Sequence, residues 1–162
     1  MKRNEILAEE FYNTIFGEPW YGSSVKKILE SANLNKSKKR VSTSIHSMEE
    51  ILLHMCAWTE EVNNRLCGAE PKEPEIGDWP EPSDYKDLDW NGLVDKFLDD
   101  SMKIINSIKI FPESKLDNTV GTDRNLPLGT GITFNSMILG LIQHNVYHSA
   151  QISFIHKAMI KK

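Results

Sequence analysis

Apolar residues recur every three or four positions along most of the chain, which is the spacing of amphipathic helices. The pattern predicts four main helices, over residues 4–16, about 48–67, about 89–110, and from Thr133 nearly to Lys161. A shorter helical stretch is predicted to start at Ser23 or Ser24, either of which can cap it. Alternation of apolar and polar residues, the pattern of a strand, does not extend over any length. We therefore predict an all-α fold, a four-helix bundle with a long crossover connection.

Signals at the helix ends define three of these boundaries more closely. Ser47 and Glu50 have the spacing of a capping box directly before an apolar run, so the second main helix is expected to start at about residue 48. Gly68 is a typical stop for that helix. Asp87 or Asp89 can cap the third main helix.

A proline-rich connection separates the second and third main helices. It contains Pro71, Pro74, Pro80 and Pro82. In a small domain, so long an irregular segment is either functional or a crossover between helices that are not adjacent. The aromatic residues Trp79 and Tyr85 indicate that it packs against the helices.

Composition narrows the class of protein. With 162 residues, 40% of them hydrophobic and 26% charged, the chain is predicted to form one globular domain over residues 1–162. Its 19 Lys and Arg against 23 Asp and Glu give a formal charge of −4, and without a long basic run neither nucleic acid nor an anionic membrane is an expected partner. No apolar run approaches the roughly 18 residues of a membrane span, and the charged N-terminal segment does not resemble a signal peptide. Cys56 and Cys67 lie about 16 Å apart along one predicted helix and cannot form a disulfide with each other there. Because this excludes a disulfide framework, we expect a cytoplasmic location.

Three of the five histidines form a candidate metal site. His144 and His148 are four residues apart on the predicted last helix, so both project from one face and can bind one ion. Leu141 and Ile152 lie on the same side of that helix, which predicts that the pair points toward the core. His54 lies within the apolar stripe of the second main helix and can face the pair across the core.

Three histidines around an open position are typical of catalytic zinc sites, although imidazole suits nickel, copper and iron as well. On spacing alone, ordinary core histidines remain an open alternative. A zinc-peptidase motif is disfavoured because Asn145 stands where that motif needs a glutamate, and the last helix lacks the Glu-x-x-His pair of di-iron bundles. His46 and His156 are expected at the surface or beside the ligands.

Three segments carry a resemblance to a known family. They are GEPWYGSSVKKILE at 17–30, IHSMEEILLHMCAWTEEVNNRLCG at 45–68 and IQHNVYHSAQI at 142–152. Together they resemble the DinB/YfiT-like metalloenzymes, which include bacillithiol S-transferase-like proteins and proteins named for induction by DNA damage. The chain departs from the family pattern at Ser149-Ala150 and at His156.

The resemblance implies a four-helix bundle that holds zinc or nickel through three histidines. By motif position these are His54, His144 and His148, the same three residues that helix faces and spacing select. It also favours a metal-dependent enzyme, either a thiol-dependent S-transferase or a hydrolase, with a small-molecule substrate such as a low-molecular-weight thiol. In such an enzyme the metal lowers the pKa of a bound water or thiol.

Other assignments around this site are less direct. Trp20, Trp58 and Tyr147 are expected to line the pocket, and Asn145 or Gln151 is expected to orient a ligand imidazole. No catalytic residue is assigned. A homodimer is expected. The competing hypothesis is a non-catalytic, metal-binding bundle that acts in a stress response or as a dimeric interaction module.

Overall fold

Five α-helices make up the secondary structure in a computed structural model that describes residues 1–32, 34–85 and 88–160. They are α1 (Arg3–Ile15), α2 (Val25–Ser31), α3 (Met48–Leu66), α4 (Trp90–Ile110) and α5 (Phe134–Ile160). Short 3₁₀ turns occupy Leu34–Lys36, Pro82–Tyr85 and Glu113–Lys115. Within these ranges the chain forms no strand, only isolated bridges in the connection between α4 and α5. The all-α prediction is therefore confirmed.

The capping box at the start of α3 is present as predicted. The Ser47 hydroxyl accepts the backbone N–H of Glu50 at 3.2 Å, and the Glu50 carboxylate accepts the backbone N–H of Ser47 at 2.7 Å. The helix ends at Leu66, and Gly68 then takes a φ of 96°, a left-handed conformation that glycine adopts without strain. These local signals explain why the predicted range was accurate to one residue.

Side-chain caps also define the starts of α4 and α5. The Asp89 carboxylate accepts the backbone N–H of Gly92 at 2.9 Å, while Asp87, the other predicted cap, lies outside the described residues. The Thr133 hydroxyl accepts the backbone N–H of Ser136 at 3.1 Å, as its predicted capping role requires. At 27 residues α5 is the longest helix, yet neither it nor another described helix combines the length and low polarity needed to cross a membrane.

The four long helices pack around a shared apolar core. Helix α3 packs against α4 and α5, α4 also packs against α1, and α1 contacts α5; the short α2 lies against α5. The largest fully buried side chains are Phe11, Ile15, Leu29, Met48, Leu52, Leu53, Met55, Leu93, Phe97, Ile104, Ile105 and Ile108. Two residues of the apolar pattern that predicted the helices, Ile6 and Met102, are exposed instead. The neighbouring positions Leu7 and Ser101 face inward in their place.

Candidate metal centre

Packing of α3 against α5 brings together the three histidines that the sequence singles out. His54 lies on α3, and His144 and His148 lie one turn apart on α5. One ring nitrogen from each histidine lies within 4.8 Å of the other two, and this is the one group of potential ligands of that kind found in the described ranges. Two nitrogens bound to one ion at about 2.1 Å can be no more than about 4.2 Å apart. Small side-chain rotations therefore suffice to close the group around an ion.

Burial keeps all three rings uncharged at neutral pH. Burial, together with the adjacent His148 and His54, lowers the pKa of His144 to about 3. Burial likewise lowers the pKa of His148 to about 4. The pKa of His54 is also lowered by burial, and the hydrogen bond and negative charge of Asp78 oppose that shift. Neutral imidazole is the form that binds metal, so this environment favours coordination over protonation.

Hydrogen bonds fix the tautomers of two of the rings. The Nδ1–H of His54 donates to the backbone carbonyl of Asp78 at 2.5 Å. The Nδ1–H of His148 donates to the side-chain oxygen of Gln151 at 2.7 Å. Each bond leaves a lone pair on Nε2, the atom that would contact an ion. Carbonyl acceptors of this kind commonly orient metal-bound histidines. Gln151 therefore has the orienting contact that the sequence predicted for it.

The third ring, His144, is held differently. Its Nε2 lies 2.9 Å from the Nε2 of His54. Because the His54 atom carries a lone pair, the His144 Nε2–H must donate to it in the metal-free protein. The His144 Nδ1 atom is then buried without a hydrogen-bond partner among the described residues. Asn145, the other predicted orienting residue, lies close enough to favour protonation of His144, but its fully buried amide forms no well-aligned hydrogen bond there.

The connection between α3 and α4 covers the cluster. Trp79 stacks between two imidazoles, with ring centroids 3.8 Å from His46 and 4.0 Å from His54 and interplanar angles of 6° and 5°. The neighbouring Asp78 carboxylate accepts the indole N–H of Trp58 at 2.6 Å. The connection thus packs down as its aromatic residues predicted. Sequence reasoning did not assign Asp78 and Trp79 to the site, because only the tertiary path of this irregular segment brings them there.

Two cavities flank the cluster. His54, His144 and Trp58 contribute to the wall of a cavity of about 360 Å³. On the other side, His148 and Tyr147 contribute to the wall of a cavity of about 580 Å³. Trp58 and Tyr147 therefore lie where the sequence predicted. Trp20 does not, because it is 96% exposed and lines neither cavity.

A buried ion pair builds part of the smaller cavity's wall. The Arg65 guanidinium donates to the Glu61 carboxylate at 2.9 Å, to the Leu128 carbonyl at 2.9 Å and to the Lys72 carbonyl at 2.8 Å. The side chains of both Arg65 and Glu61 are almost fully buried. This arrangement fastens α3 to the connection between α3 and α4 and to the connection between α4 and α5. A favourable spacing of four residues is the one sequence signal for this pair.

Neither cysteine belongs to the cluster. Cys56 is a buried free thiol whose pKa burial raises to about 12, and Cys67 is an exposed free thiol. His46 stacks on Trp79 and contributes with His148 to the wall of the larger cavity, but it does not belong to the group of candidate ligands. His156 is absent from the group of candidate ligands.

No family model, curated protein or solved structure matches this chain. The resemblance to the DinB/YfiT-like family accordingly stays an expectation based on the three sequence segments.

Proposed function

We propose that this chain is a metal-dependent enzyme that holds a divalent ion, zinc or nickel, through His54, His144 and His148. The observation that carries the proposal is the orientation of the rings. All three are neutral, and two of them direct an Nε2 lone pair toward the cluster because a carbonyl oxygen holds the opposite nitrogen. Three protein ligands leave a coordination position for a water or a substrate.

The protein's own residues set the conditions for the chemistry. A divalent ion at this site supplies a Lewis acid that makes a water or thiol nucleophilic near neutral pH. Asp78 and Gln151 hold two of the imidazoles in place, and Trp79 shields the face of His54 from solvent. Neither cysteine is placed to act as the nucleophile, because the Cys56 thiol is buried and protonated and the Cys67 thiol does not belong to the cluster, so we propose a water or a substrate thiol in that role.

A thiol-dependent S-transferase is the reaction class we favour, with a hydrolase second. The three sequence segments that resemble the DinB/YfiT-like family support this order. A site without a protein nucleophile suits both classes, since one uses a substrate thiol and the other uses water. We propose a low-molecular-weight thiol as one substrate and a cytoplasmic location.

The resemblance to the DinB/YfiT-like family also suggests how the helices of this chain are connected. We propose that α1, α3, α4 and α5 form a four-helix bundle in which the segment between α3 and α4 is the long crossover. Its support is that each of these helices packs against two of the others.

Metal content tests the proposal directly. We expect protein purified without a histidine tag to contain close to one zinc or nickel ion per chain, measured by elemental analysis. The variant His148→Ala should lose stoichiometric binding, whereas His156→Ala, a matched change on the same helix, should keep it. Metal-free protein that does not take up added zinc, nickel, manganese or iron would contradict the metal site, as would full affinity in His148→Ala.

A second candidate function is a non-catalytic, metal-stabilised homodimer acting in a stress response. Exposed aromatic residues on α5 favour a dimer, because Tyr147 and Phe154 are 62% and 79% exposed and lie two turns apart on one face. A screen for conjugation of thiols to electrophiles separates the two functions. Metal-loaded protein that conjugates no thiol favours the dimeric module. Sedimentation of wild type and Phe154→Ser then tests whether this face joins two copies.

A further inference from the structure

Gly140 occupies a position where the fold does not require glycine. It lies inside α5, where glycine is about threefold to fivefold less favourable than alanine for helix formation. Its φ is not positive, and a Cβ added to it would meet no atom within 4 Å. Gly131 is different, because it has a φ of 71° and an added Cβ would lie 2.6 Å from Arg124. Backbone conformation and packing therefore do not explain Gly140.

The space beside Gly140 belongs to the smaller cavity next to the histidine cluster. Gly140 and His144 are one helical turn apart, and both line that cavity of about 360 Å³. Gly140 is exposed, so it lies at the mouth of this cavity, where a larger side chain would occupy part of the opening. The missing side chain thus keeps open the space beside a candidate metal ligand.

Most of the remaining wall of the cavity is apolar. The charged side chains in it, Arg65 and Asp78, already have partners within the protein. Trp58, Leu126 and Met137 contribute apolar surface. Each guanidinium nitrogen of Arg65 already donates a hydrogen bond within the protein, and the Asp78 carboxylate accepts one from Trp58. An anionic ligand would find no unpaired cation among these residues, so the wall fits an uncharged, apolar group.

We propose that this cavity binds the apolar, uncharged part of a small substrate whose donor atom faces the histidine cluster, and that Gly140 sets the size of the group admitted. The inference rests on the proposed metal-dependent function and specifies the substrate class of that same site. Gly140 is a specificity-determining residue in this scheme, and it takes no part in bond making.

Two hydroxamates with the same metal-binding head test the proposal. Acetohydroxamate lacks a tail, and hexanohydroxamate carries four additional methylenes. Each methylene that leaves water favours binding by about fourfold, so we expect the zinc-loaded wild type to bind hexanohydroxamate at least tenfold more tightly in isothermal titration calorimetry. In Gly140→Leu this preference should disappear, while zinc content and acetohydroxamate affinity stay unchanged.

Two further variants separate the cavity from general effects on α5. Gln143→Leu adds the same side chain to an exposed position of the helix and should keep the preference for the longer tail. Gly140→Ala should keep most of the preference for the longer hydroxamate. It should also raise the melting temperature, because alanine favours the helix. Equal affinity of wild type for the two hydroxamates would overturn the proposal, and so would an unchanged preference in Gly140→Leu.

The metal-free protein provides a separate measurement of the cavity. If the protein binds none of zinc, nickel, manganese and iron, the proposed function fails, and the cavity is then tested with 1-hexanol by saturation-transfer NMR. Transfer in wild type and Gln143→Leu but not in Gly140→Leu supports the apolar site. Absence of transfer in wild type, or equal transfer in Gly140→Leu, overturns it independently of the metal.

Discussion

Single hydrogen bonds decide how the candidate ligands are presented. Gln151 accepts from His148 Nδ1, which leaves Nε2 unprotonated and directed at the cluster. Such outer contacts typically change metal affinity by about 10-fold to 100-fold when they are removed. We predict that Gln151→Ala weakens zinc binding about tenfold or more, measured by competition with a chromophoric chelator. Gln143→Ala removes an exposed amide from the same helix and should leave the affinity unchanged; equal weakening in both variants would contradict the orienting role.

Two adjacent carboxyl groups at the start of α3 should respond to pH in opposite directions. Glu50 hydrogen-bonds Arg40 and the Ser47 amide, which lower its pKa to about 2 against an opposing effect of burial. Because the folded state favours its charged form, its stabilisation is present above about pH 4.5 and is lost as the pH falls toward 2. Burial raises the pKa of Glu49, so its charged form destabilises the fold as the pH rises.

Paired variants at these positions test that difference. We predict that Glu50→Gln lowers the free energy of unfolding at pH 7 by about 1–2 kcal/mol, because glutamine can still cap the helix but no longer forms charged hydrogen bonds with Arg40, and that the loss shrinks toward pH 2. Glu49→Gln should instead raise stability at pH 7 relative to wild type, with the gain shrinking in acid. Urea unfolding between pH 2 and 7 measures both. Parallel pH profiles for the two variants would contradict the assignment.

At the scale of elements, the helices could be predicted because their signals are local. Ser47, Asp89 and Thr133 each cap a helix through a hydrogen bond that spans three residues, and apolar spacing supplies the rest. The three candidate ligands could also be predicted from the sequence, since His144 and His148 are one turn apart and His54 lies on an apolar face. The roles of Asp78 and Trp79 could not be predicted, because their positions depend on the path of an irregular segment that no local periodicity determines.

The buried ion pair between Glu61 and Arg65 fixes part of the path of the connection between α3 and α4. Arg65 donates to backbone carbonyls of the connections before α4 and before α5, so one side chain fastens three elements. We predict that Arg65→Met lowers the free energy of unfolding by about 3–5 kcal/mol, because the Glu61 carboxylate would be left buried and unpaired. Urea unfolding measures the loss.

The double variant Glu61→Met, Arg65→Met separates charge from packing. It should recover a substantial part of the lost stability, because no unpaired charge then remains in the interior. Arg3→Met breaks the exposed pair with Asp117 and serves as the matched control, for which little or no loss of stability is expected because solvent screens that pair. A loss as small in Arg65→Met as in Arg3→Met would contradict the structural role of the buried pair.

For the whole molecule, a shared ion would couple the stability of α3 to that of α5. The candidate ligands come from both helices, so an unfolded chain cannot present them together, and binding must favour the folded state. Free zinc at 100 times its dissociation constant stabilises a fold by about 2.7 kcal/mol. For a domain of this size that corresponds to a rise of about 5–11 °C in melting temperature.

We therefore predict that wild type melts at a temperature that climbs with free zinc and falls on chelation, measured by circular dichroism. His54→Ala and His148→Ala change different helices, but each removes one ligand from the same site. Each should therefore abolish the dependence of the melting temperature on zinc. His46→Ala should retain it, since His46 stacks on Trp79 and is not one of the candidate ligands. If zinc raised the melting temperature of both ligand variants as much as that of wild type, the ion would be binding elsewhere, and the coupling of α3 to α5 through one site would be wrong.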